Sequence, residues 1–159
     1  MELSQATFWM AGRLATNCVE ISNDPSSLDK PGFWAVVNTF EGQWFCARFA
    51  NVIDAPLPEA DWQGIENDWH SSQTQTVYQK NVEVIKEKIA AGDIYQVNLC
   101  RVLTSKSSQG LQGLANRLQV DNPAPYASYL RLPGLEIASA SPELFLERRG
   151  SVIKSTPIK

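Results

Sequence analysis

Two pairs of residues in this sequence have types and settings that chemistry uses. Glu143 follows Ser141-Pro142, and Lys159 follows Thr156-Pro157-Ile158. Proline holds its own φ near −65° and pushes the preceding residue toward extended backbone. A carboxyl group and an amine therefore each stand beside a rigid point of the chain. Facing one pocket, they would bring a carboxyl group and an amine together. The same types beside proline turns are also common on plain surfaces, so the pair alone leaves site and solvated turn both open. The second pair is Gln96 and Asn98. Residues 93–103 alternate over much of their length, as a strand does. Ile94, Gln96, Asn98 and Cys100 then share one face, and Tyr95, Val97, Leu99 and Arg101 the other. Two amides on one strand face fit a hydrogen-bonding pocket wall and a partly solvated sheet equally well.

Other chemistries are excluded quickly. His70 is the one histidine, and Cys18, Cys46 and Cys100 are isolated with no CxxC. A Cys/His zinc site has no ligand set here. An odd cysteine count suits a reducing compartment, with each cysteine read as a small buried hydrophobe and His70 as a surface residue. The 14 Lys+Arg and 17 Asp+Glu sum to −3 with no basic block, which argues against nucleic acid as a partner. No apolar run reaches the roughly 18–20 residues of a membrane span. The start, Met1-Glu2-Leu3-Ser4-Gln5, lacks the cationic and apolar regions of a signal peptide, so a cytoplasmic location is expected. Charged residues make up 19% and hydrophobic residues 43% of the 159 positions. That balance describes a globular chain of about one domain length.

The elements that must position these residues follow from periodicity. Residues 33–40 and 43–49, rich in aromatic and β-branched types around Glu41-Gly42, predict a hairpin. An earlier strand covers 18–21, and Asp54-Ala55-Pro56-Leu57-Pro58 ends the β part. Trp9, Trp34 and Trp44 are expected to pack in a sheet. Tyr78, Val82, Ile85 and Ile89 make one stripe of a helix over 74–91, with Ser72 and Gln75 as a capping box and Gly92 as its stop. A second helix covers 111–120 and ends at Asn122-Pro123. Strands are expected over 126–132, 135–139, 144–149 and 151–155. The division expected is a β-rich part, 1–70, and the start of a catalytic domain, 71–159.

Three blocks carry a resemblance. Gly92-Asp93-Ile94-Tyr95-Gln96-Val97-Asn98-Leu99, Ser139-Ala140-Ser141-Pro142-Glu143-Leu144-Phe145-Leu146 and Thr156-Pro157-Ile158-Lys159 stand in this order. The chain from about residue 77 onward resembles the chorismate-utilising enzyme family, and residues 1–70 resemble it more loosely. Members that add water carry a lysine base in the first block. Gln96 stands there instead, as in the aminating members. Anthranilate synthases usually end the third block Pro-Ile-Ala-Gly-Thr. Lys159 in place of the alanine resembles aminodeoxychorismate synthase component I. The Leu-Leu-Glu-Ser element of tryptophan feedback is not evident near the N-terminus.

The resemblance implies an α+β fold of antiparallel sheets packed as a sandwich with outer helices. It implies that chorismate and ammonia give 4-amino-4-deoxychorismate, on the way to p-aminobenzoate and folate. Lys159 would be the nucleophile, Glu143 the acid, and Gln96 with Asn98 part of the substrate pocket. A glutamine amidotransferase partner would supply ammonia. Mg²⁺ would offset the substrate's ring carboxylate, with its ligands expected beyond residue 159. Lys159 falls mid-motif, so an N-terminal fragment, inactive alone, is expected. The rival readings are anthranilate synthase component I and a non-catalytic β-rich partner-docking module.

Overall fold

The computed structural model describes residues 3–65 and 68–157. Ten strands and two α-helices run in the order β1 (Thr7–Met10), β2 (Arg13–Ser22), β3 (Phe33–Asn38), β4 (Trp44–Asp54), β5 (His70–Ser71), α1 (Gln75–Ala90), β6 (Leu103–Thr104), α2 (Gln112–Asp121), β7 (Ser128–Leu132), β8 (Leu135–Ser139), β9 (Leu144–Arg149) and β10 (Val152–Thr156). The class is α+β, and every strand pair is antiparallel. Two compact units form without regard to sequence order. Residues up to Gln63 join those from Gln109 onward in the first, and Gly64–Ser108 make the second.

The first unit is built on a six-stranded sheet in the order β3-β4-β2-β1-β7-β8. Its turns follow local chemistry. Ala11 and Gly12 both take positive φ, 48° and 85°, the conformation of a two-residue hairpin whose twist matches its strands. Pro133-Gly134 joins β7 to β8 with Gly134 at φ 75°, as a Pro-Gly turn requires. The register lines side chains up in rows. Val52, Ala15, Phe8, Leu130 and Ile137 form one row across five strands. Ile53, Leu14, Trp9, Tyr129 and Ala138 form its neighbour on the opposite face.

The first face buries itself by curling. β3 and β1 lie three strand spacings apart, about 14 Å on a flat sheet. Yet the Phe8 and Phe33 ring centroids are 5.9 Å apart. The sheet is therefore concave on this side, and Ala15, Ala35, Ala47, Cys18 and Phe49 are buried in the hollow. Small residues on the central strands leave room for the large ones to reach inward.

The opposite face is covered by α2 and by the extended segment after β4. Trp9, Leu14, Tyr129, Leu57 and Ala115 pack there. Trp9 donates from Nε1 to the Ala55 carbonyl at 3.0 Å. Tyr129, fully buried, donates from its hydroxyl to Glu136 Oε1 at 2.6 Å. Gln112 and Asn116 of α2 hold the carbonyls of Pro58 and Leu57. Gly113 lets the helix touch the segment, because a methyl group there would sit 2.2 Å from the Asp61 carbonyl oxygen.

The second unit is α1 with the short β5–β6 ladder. Its helix is capped by Thr74, whose side chain accepts from the Val77 N–H, and not by the expected Ser72. Ser72 is engaged elsewhere, accepting from the Val102 N–H at 3.0 Å. No described residue of this unit is buried. Cys18 and Cys46 are buried as expected, whereas Cys100 is exposed. Trp9 is buried in the sheet's core, while Trp34 and Trp44 are only half-buried.

Gly113→Ala weighs two opposed effects. Alanine gains about 1 kcal/mol of helix propensity over glycine, but the contact with backbone at Asp61 forces a shift, and overpacking costs about 1–3 kcal/mol. Urea unfolding is expected to show net destabilisation, and unchanged or raised stability would refute the close approach. Stability should also fall at both ends of the pH scale. Burial, then the Glu136 carboxylate, raises the Tyr129 hydroxyl above its ordinary value. Its stabilisation is full below the unfolded value of about 10 and is lost as pH rises beyond it. Lys30, then Arg48, lowers the Glu20 carboxyl. That contribution is present above about pH 4.3 and is lost as pH falls through the lowered value. Tryptophan fluorescence during denaturation at graded pH measures both flanks.

Candidate active site

Glu143 stands at the mouth of the β9–β10 hairpin. The Tyr126 N–H donates to the Ser141 carbonyl at 3.2 Å, fixing the approach, and Pro142 stiffens the next step. Glu143 then leads directly into β9 and is exposed. The hairpin turns at Gly150, φ 61°, so that Thr156 pairs with Leu144. A bulge falls between Lys154 and Thr156, and Ser155 donates to the Leu144 carbonyl at 3.3 Å. The register thus folds the block beginning at Thr156 back beside the residue that follows Glu143. Two motifs separated in sequence meet through one turn. Lys159 itself lies outside the described residues.

Gln96 and Asn98 belong to the second unit and are both exposed. The strand expected over 93–103 is not formed. Only Leu103–Thr104 enters a ladder, with His70–Ser71, and residues 94–102 are irregular. A strand needs a neighbouring edge to take its N–H and C=O groups, and β5 offers just two residues.

The irregular segment is nevertheless held at both ends. On one side α1 closes in a Schellman motif. The Gly92 N–H reaches the Ile89 carbonyl at 3.1 Å, and the Asp93 N–H reaches that of Lys88 at 3.0 Å. Gly92 takes φ 80°, and Lys88 Nζ pairs with Asp93 Oδ2 at 2.7 Å. On the other side Gln73 donates from Nε2 to the Cys100 carbonyl at 2.9 Å, and Asn81 of α1 donates from Nδ2 to Gln73 Oε1 at 3.2 Å. The Ser72 N–H donates to the Val102 carbonyl at 2.8 Å. Sequence reasoning did not single out Gln73 or Asn81. One signal pointed to Asn81, an amide on the stripe between Tyr78 and Ile85. A hollow of about 400 Å³ beside this segment is lined by Tyr78, Leu99 and Arg101.

Among the described residues, no three His, Cys, Asp or Glu side chains gather where a metal ion could bind. No helix there is long and apolar enough to cross a membrane.

Comparison with known proteins adds a lineage. A family model described as chorismate binding enzyme matches residues 35–159. Aminodeoxychorismate synthase component 1 of Bacillus subtilis is 35% identical over 85 residues, covering 54% of this chain and 18% of that protein. The Escherichia coli protein of the same name is 33% identical over 102 residues, 64% of this chain and 22% of its own. Anthranilate synthase component 1 1 of Haloarcula marismortui is 33% identical over 112 residues, 70% and 23% respectively. The chain thus spans 18–23% of the length of these three relatives. No solved structure matches.

The geometry at Gly92 makes a test. Alanine there must take a left-handed conformation, which costs about 1–2 kcal/mol. Gly92→Ala is expected to speed amide hydrogen exchange in the last turn of α1 and in residues 93–96. Unchanged exchange in both would show that the Schellman motif does not anchor this segment.

Proposed function

The chain belongs to the chorismate binding enzyme family, and from that membership we propose that it carries part of the active site of an aminodeoxychorismate synthase component 1, acting on chorismate and ammonia. The observation that carries the choice of reaction is Lys159 at the end of Thr156-Pro157-Ile158. The resemblance sets this against the anthranilate synthase pattern, which usually has alanine at that place. Support also comes from the hairpin register, which returns Thr156 to Leu144 beside Glu143.

In this reading the neutral Lys159 amine forms a bond to C2 of chorismate as the C4–O bond breaks. Glu143 gives its proton to the departing hydroxyl, which leaves as water. Ammonia then bonds to C4, and the lysine nitrogen leaves C2. The lysine leaves as the neutral amine it began as, and the proton shed by the newly bound ammonia restores Glu143. Chorismate and ammonia thus become 4-amino-4-deoxychorismate and water. An aqueous lysine is neutral only about once in a thousand molecules at pH ~7.4. The site must therefore be dry when it works, since desolvation favours the uncharged amine. Gln96 and Asn98 offer neutral amide donors and acceptors to the substrate, and Gln96 cannot serve as a water-activating base. A glutamine amidotransferase partner fits the need for ammonia. Mg²⁺, which the resemblance implies, finds no ligand set among the described residues.

Anthranilate synthase component 1 is the second reading. A relative of that name matches 70% of this chain at 33% identity. Product identity separates the two.

The 159-residue chain alone is expected to give no turnover with chorismate, ammonia and Mg²⁺. Appreciable product from it would overturn the reading of an incomplete site. In a family-length protein carrying this chain, Lys159→Ala should redirect ammonia to C2 and yield 2-amino-2-deoxyisochorismate. Glu143→Gln should slow both products by about 10²–10⁴-fold, because it removes the shared acid. Mass and chromatographic analysis decides. Wild-type rate and product from both variants would refute both assignments.

A further inference from the structure

We infer that Gln73 and Asn81 form a positioning relay for the segment that bears Gln96 and Asn98. The inference rests on the proposed role of those two amides in the substrate pocket. Residues 94–102 have no ladder partner, so ordinary sheet bonding does not set their course. The described bonds that tie this segment's far end to the unit are few. Gln73 Nε2 to the Cys100 carbonyl, at 2.9 Å, lies nearest to Asn98. A glutamine side chain left to itself samples many rotamers, and holding it costs up to roughly 2 kcal/mol of entropy. Here Asn81 supplies the hold, donating to Gln73 Oε1 at 3.2 Å from within α1. The relay then runs from helix α1 through one amide to a backbone carbonyl two residues beyond Asn98. Its polarity is fixed. Asn81 must donate, and Gln73 must accept with its oxygen and donate with its nitrogen.

That polarity gives near-isosteric tests. Gln73→Glu keeps the size and the acceptor but removes the donor that faces the Cys100 carbonyl. Asn81→Asp removes the donor that orients Gln73. Asn81→Ser retains a hydroxyl donor as a shorter conservative variant. The experiment uses a family-length protein carrying this chain and has two arms. In the first, hydrogen exchange by mass spectrometry follows the peptide 94–102 and, as a folding control, the body of α1. In the second, kcat and KM for chorismate are measured with ammonia at saturation.

The inference expects Gln73→Glu and Asn81→Asp to speed exchange in 94–102 roughly 5–10-fold, the equivalent of one lost hydrogen bond. The control peptide should be unchanged, and KM should rise by a similar factor with kcat altered less. Asn81→Ser should recover most of both effects. Unchanged exchange in 94–102 overturns the relay whatever the kinetics do. Faster exchange throughout α1 overturns it too, because the residues would then be supporting the fold and not aiming the segment. Faster exchange confined to 94–102 with unchanged KM sustains the relay and overturns the placement of Gln96 and Asn98 in the pocket.

Discussion

A four-residue strand carries the first unit. β1 is hydrogen-bonded along both edges, to β2 on one side and to β7 on the other. It is the seam between a half-sheet from the first third of the chain and a half-sheet from the last third. Trp9 and Phe8 sit on opposite faces of that seam. Trp9 enters the core beneath α2, and Phe8 reaches across the concave side to Phe33. Without β1, neither face has a continuous row of side chains. β7 and β8 would then lose their described hydrogen-bonded link to β2. That dependence also brings the β9–β10 hairpin into the account, because it follows β8 directly and carries Glu143 at its base.

Much of this architecture was legible where local chemistry decides it. The β3–β4 hairpin, α1, α2 and the four C-terminal strands follow from period-two or period-3.6 patterns bounded by glycine and proline. β1 was not read as a strand of its own. It is short, and its turn is Ala11-Gly12, with no asparagine or aspartate to announce positive φ. The strand expected at 93–103 failed for the opposite reason. Its alternation is real, but alternation describes a face and supplies no neighbouring edge. The helix cap shows the same limit. Ser72 and Thr74 are both good cap residues, and a contact with Val102, far along the chain, decides between them. Glu143 and Lys159 were legible as motif residues. The Gln73–Asn81 relay was not, because its third member is a carbonyl 27 positions from Gln73.

The two parts proposed to carry chemistry are also the least buried. No described residue of Gly64–Ser108 is buried, and the hairpin leaves Phe145 86% and Ile153 67% exposed. Burying a side chain of that size is worth about 1.5–3 kcal/mol, and here that gain is largely unrealised. A lone two-stranded hairpin is marginal in water. The curled sheet of the first unit, by contrast, buries a core on each of its faces. Rigidity and proposed reactivity therefore sit in different segments, and hydrogen bonds at segment ends do the aiming where packing is thin.

The seam at β1 also sets a timetable. Thr7 pairs with Arg131, so β1 must wait for a strand made about 120 residues later. At roughly 5–20 residues per second, the ribosome imposes a delay of about 6–24 seconds. During that interval the β1–β2 hairpin has an open edge bearing Phe8 and Trp9, a ready template for pairing with another chain. The family match begins only at residue 35, so the strands that must wait lie ahead of the matched region. A nascent chain of this design holds the β1 edge unpaired until β7 emerges, an interval in which pairing with another chain competes with folding.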